Sequence, residues 1–238
     1  VQTCALPIFS VAGNFTVNIT GSDVSLSTYS GHSIGGNIVF TAGGINAGSS
    51  ILSLQGSITG SGTFTGSTGT IKFTGGGTQT MSAAAMLFNN ITVEKTVGTV
   101  ASITSTATIN GSLVVTTGTF DLGATTLTHN GTTSVSDTLT FSSATGAKTF
   151  VGAVTINSGG TWQENAASAI TFRSGIVNDG TFTANTGVHT FNTNNQSVSG
   201  SSVISIPNVT VNTITLTNNS TVGFTAGTTL SGTGGITQ

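Results

Sequence analysis

The sequence has very little charge. Only 4% of its 238 residues are charged, against about a quarter in ordinary soluble domains. The four basic residues, Lys72, Lys95, Lys148 and Arg173, are scattered along the chain. Nucleic-acid binding needs clustered Lys and Arg that neutralise phosphates. The sequence therefore predicts no nucleic-acid partner.

Long apolar runs and cysteine are also scarce. No run approaches the roughly 18 apolar residues of a membrane-spanning helix, so no such segment is predicted. The single cysteine, Cys4, lies in the opening segment VQTCALPI. That segment matches the translation of a common sequencing-adapter oligonucleotide at all eight residues, and we interpret residues 1–8 as a translated adapter scar. No thiol chemistry is then expected, and no export signal is recognisable.

The residues that are abundant favour strands. Threonine is the commonest residue, and the sequence has 34 glycines. Thr, Val, Ile and Phe favour strands, and Gly disfavours helices. Short strand patterns such as SLVVT (112–116) and AVTIN (153–157) alternate with Gly, Asn and Ser turns. Only AAAMLF (83–88) favours a helix, and it is too short to be stable alone. The sequence therefore predicts an all-β protein.

One frame, F-x3-T-G-x3-F, occurs three times, beginning at Phe64, Phe141 and Phe182. Residues 58–73 and 176–191 match at eight of sixteen positions, at an offset of 118 residues. Gln79 in TQTMS is echoed by Gln196 in NQSVS. The separations of 77, 41 and 118 residues divide into four, two and six units of about 20 residues. A unit of that size cannot bury its own apolar face and must stack on its neighbours.

Two architectures fit these units. In a β-sandwich, the Asn-Gly and Asp179-Gly180 dipeptides would close antiparallel hairpins. In a β-solenoid each unit is one coil, and equivalent strands stack in parallel. The constant spacing favours the solenoid. So does the low charge, because a charge repeated on every coil would face its own kind at close range. Residues 9–238 are therefore predicted to be a single β-solenoid domain of coils of about 20 residues, from a longer protein.

The passages GTFTGSTGTIKFTGGGTQTMS and GSLVVTTGTFDLGATTLTHNG resemble the Thr/Gly-rich repeats of secreted bacterial surface proteins. These include adhesins and exoproteins of the filamentous-haemagglutinin and autotransporter-passenger kinds. The resemblance implies a right-handed parallel β-helix, an extracellular or cell-surface location and a role in adhesion or as a stalk. It implies no catalytic residues. Surface glycans or other cell-surface proteins are the expected partners.

Catalytic groups are sparse. The best local candidates for ligand contact are Glu164, Arg173, Asp179 and His189, together with Trp162, whose ring could stack on a sugar. The spacings of the first four do not match one coil, so the sequence does not predict that they share a face. We predict no catalytic residue, no metal site and no cofactor. A carbohydrate-binding or carbohydrate-active module is the alternative to a non-catalytic structural segment.

Four smaller patterns complete the expectations. His32, His129 and His189 have no acidic partner at ligand spacing, so they are predicted to lie on the surface. His189 and Lys148 stand two residues before a Phe of the frame. If that Phe is buried, strand alternation points both side chains inward. If the strand bends there, or if the Phe marks a turn, the two side chains need not point inward. Thr-x-Thr pairs suggest an ice-binding ladder, but they do not recur once in every unit, so exposed strand threonines are the simpler interpretation. Uncapped ends predict end-to-end self-association.

Overall fold

The computed structural model describes residues 8–26, 28, 30–96 and 100–238. The proposed adapter segment lies outside these ranges except for Ile8, whose side chain is exposed. The chain forms two compact units, Val1–Phe120 (unit 1) and Asp121–Gln238 (unit 2). All regular structure in the described residues is β-strand, which confirms the predicted all-β class.

The strands are short and follow one another around each coil. Those of unit 1 are β1 (Ser10–Val11), β2 (Phe15–Ser25), β3 (Ser30–Ile34), β4 (Ile38–Asn46), β5 (Ile51–Leu54), β6 (Ile58–Gly60), β7 (Thr63–Thr65), β8 (Thr70–Gly75), β9 (Gln79–Met81), β10 (Ala85–Phe88), β11 (Asn90–Lys95), β12 (Val100–Ile103), β13 (Ala107–Ile109) and β14 (Leu113–Thr117). Strand β15 (Thr119–Leu122) begins in unit 1 and ends in unit 2.

Unit 2 continues the same pattern. Its strands are β16 (Leu127–His129), β17 (Thr133–Val135), β18 (Thr138–Phe141), β19 (Lys148–Phe150), β20 (Val154–Ile156), β21 (Thr161–Glu164), β22 (Ile170–Phe172), β23 (Ile176–Asn178), β24 (Thr181–Thr183), β25 (Val188–Phe191), β26 (Gln196–Ser199), β27 (Ile204–Val211), β28 (Thr215–Asn218), β29 (Phe224–Ser231) and β30 (Gly235–Thr237).

Every third strand along the sequence pairs in parallel with its equivalent in the next coil. In unit 1, β5 pairs with β8 and β8 with β11, β6 pairs with β9, and β7 pairs with β10. In unit 2, β17 pairs with β20, β18 with β21 and β19 with β22. Long strands such as β4 bend through a corner and serve two rows, pairing with both β6 and β7. Each unit is therefore a parallel β-solenoid with three strands per coil.

The coil length varies around the predicted value. Ile51 pairs with Thr70 and Ser10 pairs with Ser33, so the coil that starts at Ile51 is the shorter of the two. Part of the difference lies in register shifts within the strands of the longer coil, in β2 between Val17 and Asp23 and in β3 between Ser30 and His32. The prediction of a solenoid with coils of about 20 residues is confirmed. The sandwich of antiparallel hairpins is excluded for the described strands.

The second and third copies of the Phe frame, on β18 and β24, lie two coils apart as predicted, but the first copy is not a whole number of coils from either. In unit 2, Phe150 and Phe191 stand in one row with Phe172 between them, but Phe182 stacks on Trp162 while Phe141 pairs with Glu164. Phe64 lies on β7 and Phe182 on β24, seventeen strands later along the sequence. With three strands per coil, this is not a whole number of coils. The frame marks a strand–corner–strand unit that recurs at different corners.

Glycine in the frame meets two different needs. Gly146, in the second copy, has φ of +76°, which an L-residue with a side chain adopts only at a cost. Gly187, in the third copy, has ordinary φ, but a Cβ there would collide with the Ser168 carbonyl of the previous coil. A Cβ at Gly146 would also collide with backbone of the previous coil, at the Thr125 carbonyl, so close coil packing requires glycine in both copies and backbone conformation requires it in the second.

The interior of each unit is filled by alternate strand residues. Phe64, Ile71 and Phe73 are buried in unit 1, and Phe150, Phe172 and Phe191 in unit 2. Ring centroids of Phe150 and Phe172 lie 5.9 Å apart, and those of Phe172 and Phe191 lie 5.3 Å apart, both stacked. The AAAMLF run contains β10 and no helix, because alternation buries Met86 and Phe88 while Leu87 stays exposed.

Candidate functional site

The five candidate residues divide into an interior group and two separate corner residues, all in unit 2. Trp162 and Glu164 lie on β21 and His189 lies on β25. The side chains of these three are buried, at 0 to 2% exposure. Arg173 and Asp179 follow β22 and β23, where Arg173 is half-buried and Asp179 exposed. The structure thus joins three of the five and leaves the other two apart.

The interior group, which we call the Glu164 cluster, consists of Trp162, Glu164, His189 and the backbone of residues 185 and 187. Trp162 Nε1 donates to Glu164 Oε1 at 2.8 Å, and His189 Nε2 lies 2.8 Å from the same oxygen. The backbone N–H of Asn185 donates to Glu164 Oε2 at 2.9 Å. His189 Nδ1 lies 3.0 Å from the Gly187 carbonyl oxygen. Both carboxylate oxygens and both imidazole nitrogens therefore have partners, as burial requires.

Strand alternation places these groups inside. Trp162 and Glu164 are two residues apart on β21, and His189 and Phe191 are two apart on β25, so each pair faces the same side. His189 and Phe191 are both fully buried, as are Lys148 and Phe150 on β19. The two alternatives that the sequence left open are thereby resolved: the strand does not bend, and the residues before the frame's Phe point inward.

The prediction of surface histidines is wrong. His32, His129 and His189 are 1%, 0% and 0% exposed. The Phe9 amide donates to His32 Nδ1, and His129 Nδ1 lies 3.0 Å from the Thr133 hydroxyl. The missed signal was the alternation of LTH and VHTF, in which the histidine occupies an apolar position. Glu164 is likewise an interior strand residue and not a turn residue.

Arg173 and Asp179 make separate local contacts. Asp179 Oδ1 accepts hydrogen bonds from the Ser201 amide at 2.9 Å and its hydroxyl at 2.8 Å. These bonds, the amide first, lower the pKa of Asp179 below its ordinary value. Arg173 Nε is buried and has no hydrogen-bond partner among the described residues. Neither side chain is placed to act together with the Glu164 cluster.

Each unit also encloses a lysine. Lys95 Nζ in unit 1 donates to the Gly77 carbonyl at 2.8 Å and to Gln79 Oε1 at 2.6 Å. Lys148 Nζ in unit 2 donates to the carbonyls of Gly123 at 2.8 Å and Thr145 at 3.0 Å. Burial lowers the pKa of both lysines. For Lys148 the charge of Asp121 acts in the opposite direction.

The glutamines that echo each other in sequence have the same role in structure. Gln79 Nε2 donates to the Leu54 carbonyl at 2.9 Å and to that of Gly56 at 2.7 Å, both in the preceding coil. Gln196 Nε2 donates to the Phe172 carbonyl of its preceding coil at 3.1 Å. Both side chains are buried. They satisfy corner carbonyls that would otherwise be enclosed without a donor.

One outer face of unit 2 carries a row of threonines that the sequence reading missed. Outward-facing hydroxyl residues lie in register on the strands that pair from one coil to the next, namely β16, β19, β22, β25 and β27. The row consists of Thr128, Thr149, Thr171, Thr190 and Thr210, and it continues to Ser231 on β29. The spacing is uneven, since Thr171 stands nearer in sequence to Thr190 than to Thr149. A search at a fixed period therefore fails to find the row.

Two open concave surfaces lie in unit 1. A polar groove of about 540 Å³ is lined by Gly21, Ser22, Asp23, Ser25, Gly43, Asn46, Ser61, Gly62 and Thr63. A second, of about 420 Å³, lies along β7, β10 and β13. Within the described ranges, His, Cys, Asp and Glu nowhere form a group of three or more that could hold a metal ion. The described residues also contain no helix that is long and apolar enough to cross a membrane.

Fold and interior together define a parallel β-solenoid whose buried Glu, His, Lys and Gln side chains are hydrogen-bonded. Comparisons with protein-family models, with curated proteins and with solved structures found no match to this chain. The functional argument therefore depends on the geometry of the chain itself.

Proposed function

We propose that the chain is a non-catalytic structural or adhesive repeat segment, a stalk, of an extracellular bacterial surface protein. The observation that supports this proposal best is the parallel pairing of equivalent strands from coil to coil within each unit, as in the row Phe150, Phe172 and Phe191. A solenoid is extended by adding coils, each of which contacts only its neighbours. Each coil adds about 4.8 Å along the stacking direction. This construction suits a spacer that carries a binding surface away from a cell.

The adhesive part of the proposal is supported by the outer threonine row of unit 2. It presents uncharged hydroxyl groups at strand spacing on a sheet face, with Thr128 exposed and Thr149 half-buried. Such a surface can hydrogen-bond to glycans or to other cell-surface proteins without an electrostatic preference. Binding of this kind is weak per coil and gains strength by repetition along the row.

A bead-adhesion experiment tests this role. Beads that carry the purified chain are washed over arrays of surface glycans and immobilised cell-surface proteins, and retained beads are counted. We expect retention on at least one surface, and a loss of most of it in the triple variant T149A/T171A/T190A. The matched control is T138A/T161A/T181A, which removes a second threonine row in the same unit. Equal loss in both variants, or no retention on any surface, would contradict the adhesive role.

The stalk role has its own measurement. When the chain is pulled from both ends, we expect extension in steps of about 70 Å, the length of one unravelled coil of about 20 residues. A single abrupt extension of each unit would contradict an arrangement in which coils are released one after another.

A carbohydrate-binding or carbohydrate-active module is the second candidate, because of the polar groove in unit 1. Its lining presents the hydroxyls of Ser22, Ser25 and Thr63 beside the carboxylate of Asp23, which are groups that hydrogen-bond to sugars. This candidate predicts glycan binding that is lost in Asp23→Asn and kept in Asp179→Asn, a carboxylate elsewhere. Release of sugar from a polysaccharide panel, abolished in the first variant alone, would favour the enzyme over the stalk.

A further inference from the structure

The hydrogen bonds of the Glu164 cluster determine how many protons it holds. A carbonyl oxygen only accepts, so the contact with Gly187 O requires a proton on His189 Nδ1. An indole N–H only donates, so Glu164 Oε1 accepts from Trp162. The remaining 2.8 Å contact joins His189 Nε2 to the same Oε1. A hydrogen bond there needs one proton, carried either by the imidazole or by the carboxyl group.

We propose that Glu164 and His189 share this one proton, and that the pair is a pH-sensitive latch. The latch holds residues 184–187, the corner between β24 and β25, onto the preceding coil. Glu164 belongs to β21, which pairs with β24 one coil later. It accepts from the Asn185 backbone N–H, while His189 donates to the Gly187 carbonyl. The corner is therefore fastened to the pair from inside at two points.

The surroundings favour a net charge of zero in the pair. His189 stacks on Phe172 with ring centroids 6.4 Å apart, and Trp162 stacks on Phe182 at 5.5 Å. The described strands packed around the pair, β18, β22, β24 and β27, carry no charged side chain. An unbalanced charge enclosed by such groups is costly, whereas a proton-sharing pair is neutral in either form.

Three ionisable side chains on nearby elements complete the surroundings. Lys148 on β19 lies in the same row as His189, with Ile170 between them. Its ammonium group is directed at the carbonyls of Gly123 and Thr145. Arg173 follows β22 and is half-buried, and His129 on β16 precedes Lys148 by one coil, with its Nδ1 at Thr133. The number of protons on the Glu164–His189 pair is therefore independent of these three side chains, and control variants test this independence.

Proton counting gives the direction of the pH effect. In the unfolded chain, glutamate is protonated below about pH 4.3 and histidine below about pH 6.5. Above about pH 6.5 the closed latch holds one proton more than the unfolded corner, so closure weakens as pH rises. Below about pH 4.3 the closed latch holds one proton fewer, so closure weakens as pH falls. The latch is closed most firmly between these values, with a loss of up to about tenfold per pH unit on either side.

The direct test is NMR of the wild-type chain with labelled histidine, from pH 4 to pH 8.5. We expect the His189 ring to keep a proton on Nδ1 between pH 5 and pH 7.5. We also expect amide exchange protection of residues 185–188, corrected for the intrinsic exchange rate, to be highest within that interval. Loss of the Nδ1 proton within that interval would overturn the proposal, and so would protection that does not vary with pH.

Variants separate the latch from other ionisable groups. The double variant E164Q/H189Q replaces both titratable groups by amides and should remove the pH dependence at residues 185–188. Lys148→Met and Asp179→Asn are matched controls in the same unit and should leave that dependence unchanged. If E164Q/H189Q does not fold, the Nδ1 proton and the exchange protection of the wild-type chain still decide the proposal. A pH dependence that persists in a folded E164Q/H189Q chain would assign it to another group.

Discussion

The two units solve the same packing problem with different interiors. In unit 1 the ring contacts of the core are isolated pairs, such as Phe64 with Phe88 at 5.4 Å. In unit 2, Trp162 contacts four rings and a continuous aromatic row runs from Phe150 to Phe191. Unit 2 also encloses an acidic residue with its histidine partner. A shared coil geometry therefore does not impose one kind of core.

What the units have in common is the treatment of buried polar groups. Lys95 and Lys148 each direct an ammonium group at corner carbonyls, and Gln79 and Gln196 each direct an amide at carbonyls of the preceding coil. Corners leave carbonyls without a strand partner, and a donor from inside satisfies them. The comparison indicates that corners, more than strands, decide where polar side chains enter the core.

The largest difference between the units is expected from truncation of aromatic residues. Trp162→Ala should lower the free energy of unfolding by about 3–5 kcal/mol, because it leaves a large cavity and removes a donor to Glu164. Phe64→Ala in unit 1 has fewer ring neighbours and should fall at or below the low end of that range. Urea denaturation of both variants measures this. A greater loss for Phe64→Ala would contradict the importance assigned to the aromatic row.

The glutamines should behave alike in the two units. Gln79→Met and Gln196→Met keep the side-chain length but leave corner carbonyls unpaired, at a cost of about 1–3 kcal/mol each. Each variant also removes an acceptor from a buried donor, Lys95 Nζ in Gln79→Met and the Gly175 backbone N–H in Gln196→Met. Denaturation midpoints of the two variants test the equivalence. Exposed Gln55→Met is the control and should change stability little.

Alkaline pH should distinguish the two lysines. Burial lowers the pKa of each, so the folded state releases its proton before the unfolded state does. Stability should therefore rise as pH increases from the lowered folded pKa towards the ordinary value near 10.4. Asp121→Asn removes the charge that opposes this shift at Lys148, so the rise should begin at lower pH in unit 2. Exchange protection between pH 8 and 10.5 measures the effect.

Two outcomes would contradict the assignment of the alkaline rise in stability to the buried lysines. Unit 1 contains Lys95 without such a carboxylate, so its response should not change in Asp121→Asn. Lys148→Met should abolish the alkaline rise in unit 2. A rise that persists in Lys148→Met, or an effect of Asp121→Asn on unit 1, would mean that the lysines are not its source.

The smallest effect is expected at the surface ion pair of unit 1. Lys72 Nζ and Glu94 Oε2 lie 2.9 Å apart on neighbouring strands β8 and β11, and both side chains are partly exposed. A double-mutant cycle with Lys72→Met and Glu94→Gln should give a coupling of about 0.2–1 kcal/mol that decreases with added salt. A larger, salt-independent coupling would contradict the view that charges contribute little to either unit.

Much of the fold was predictable because it depends on local patterns. Alternation in segments such as TIKF and AVTIN, with Gly and Asn between them, predicted the strands, and the constant spacing of the repeat predicted that they stack in parallel. The echo of Gln79 by Gln196 joins two residues that have the same role, donation to corner carbonyls, although they lie on different rows of strands. The Phe frame misled, since a frame shorter than a coil can recur at any corner that joins two strands.

The Glu164 cluster could not be predicted from spacing. Glu164 and His189 are separated by more than one mean coil length, because they face each other across a corner and not along a row. Once Phe191 is known to be buried, strand alternation indicates that these two side chains point inward. Their contact depended on the lengths of the corners between β21 and β25.

The sequence by itself determined the parallel solenoid class. Apolar alternation, short strands and a repeat of about 20 residues are together compatible with few arrangements of strands. The tertiary structure alone decided which polar residues meet inside, as with His189 and Glu164, and which hydroxyls align outside, as with Thr149 and Thr171. The physical reason is that pairing depends on the register between coils. Corners of unequal length change that register from one coil to the next, and their shape is fixed only when the coils stack.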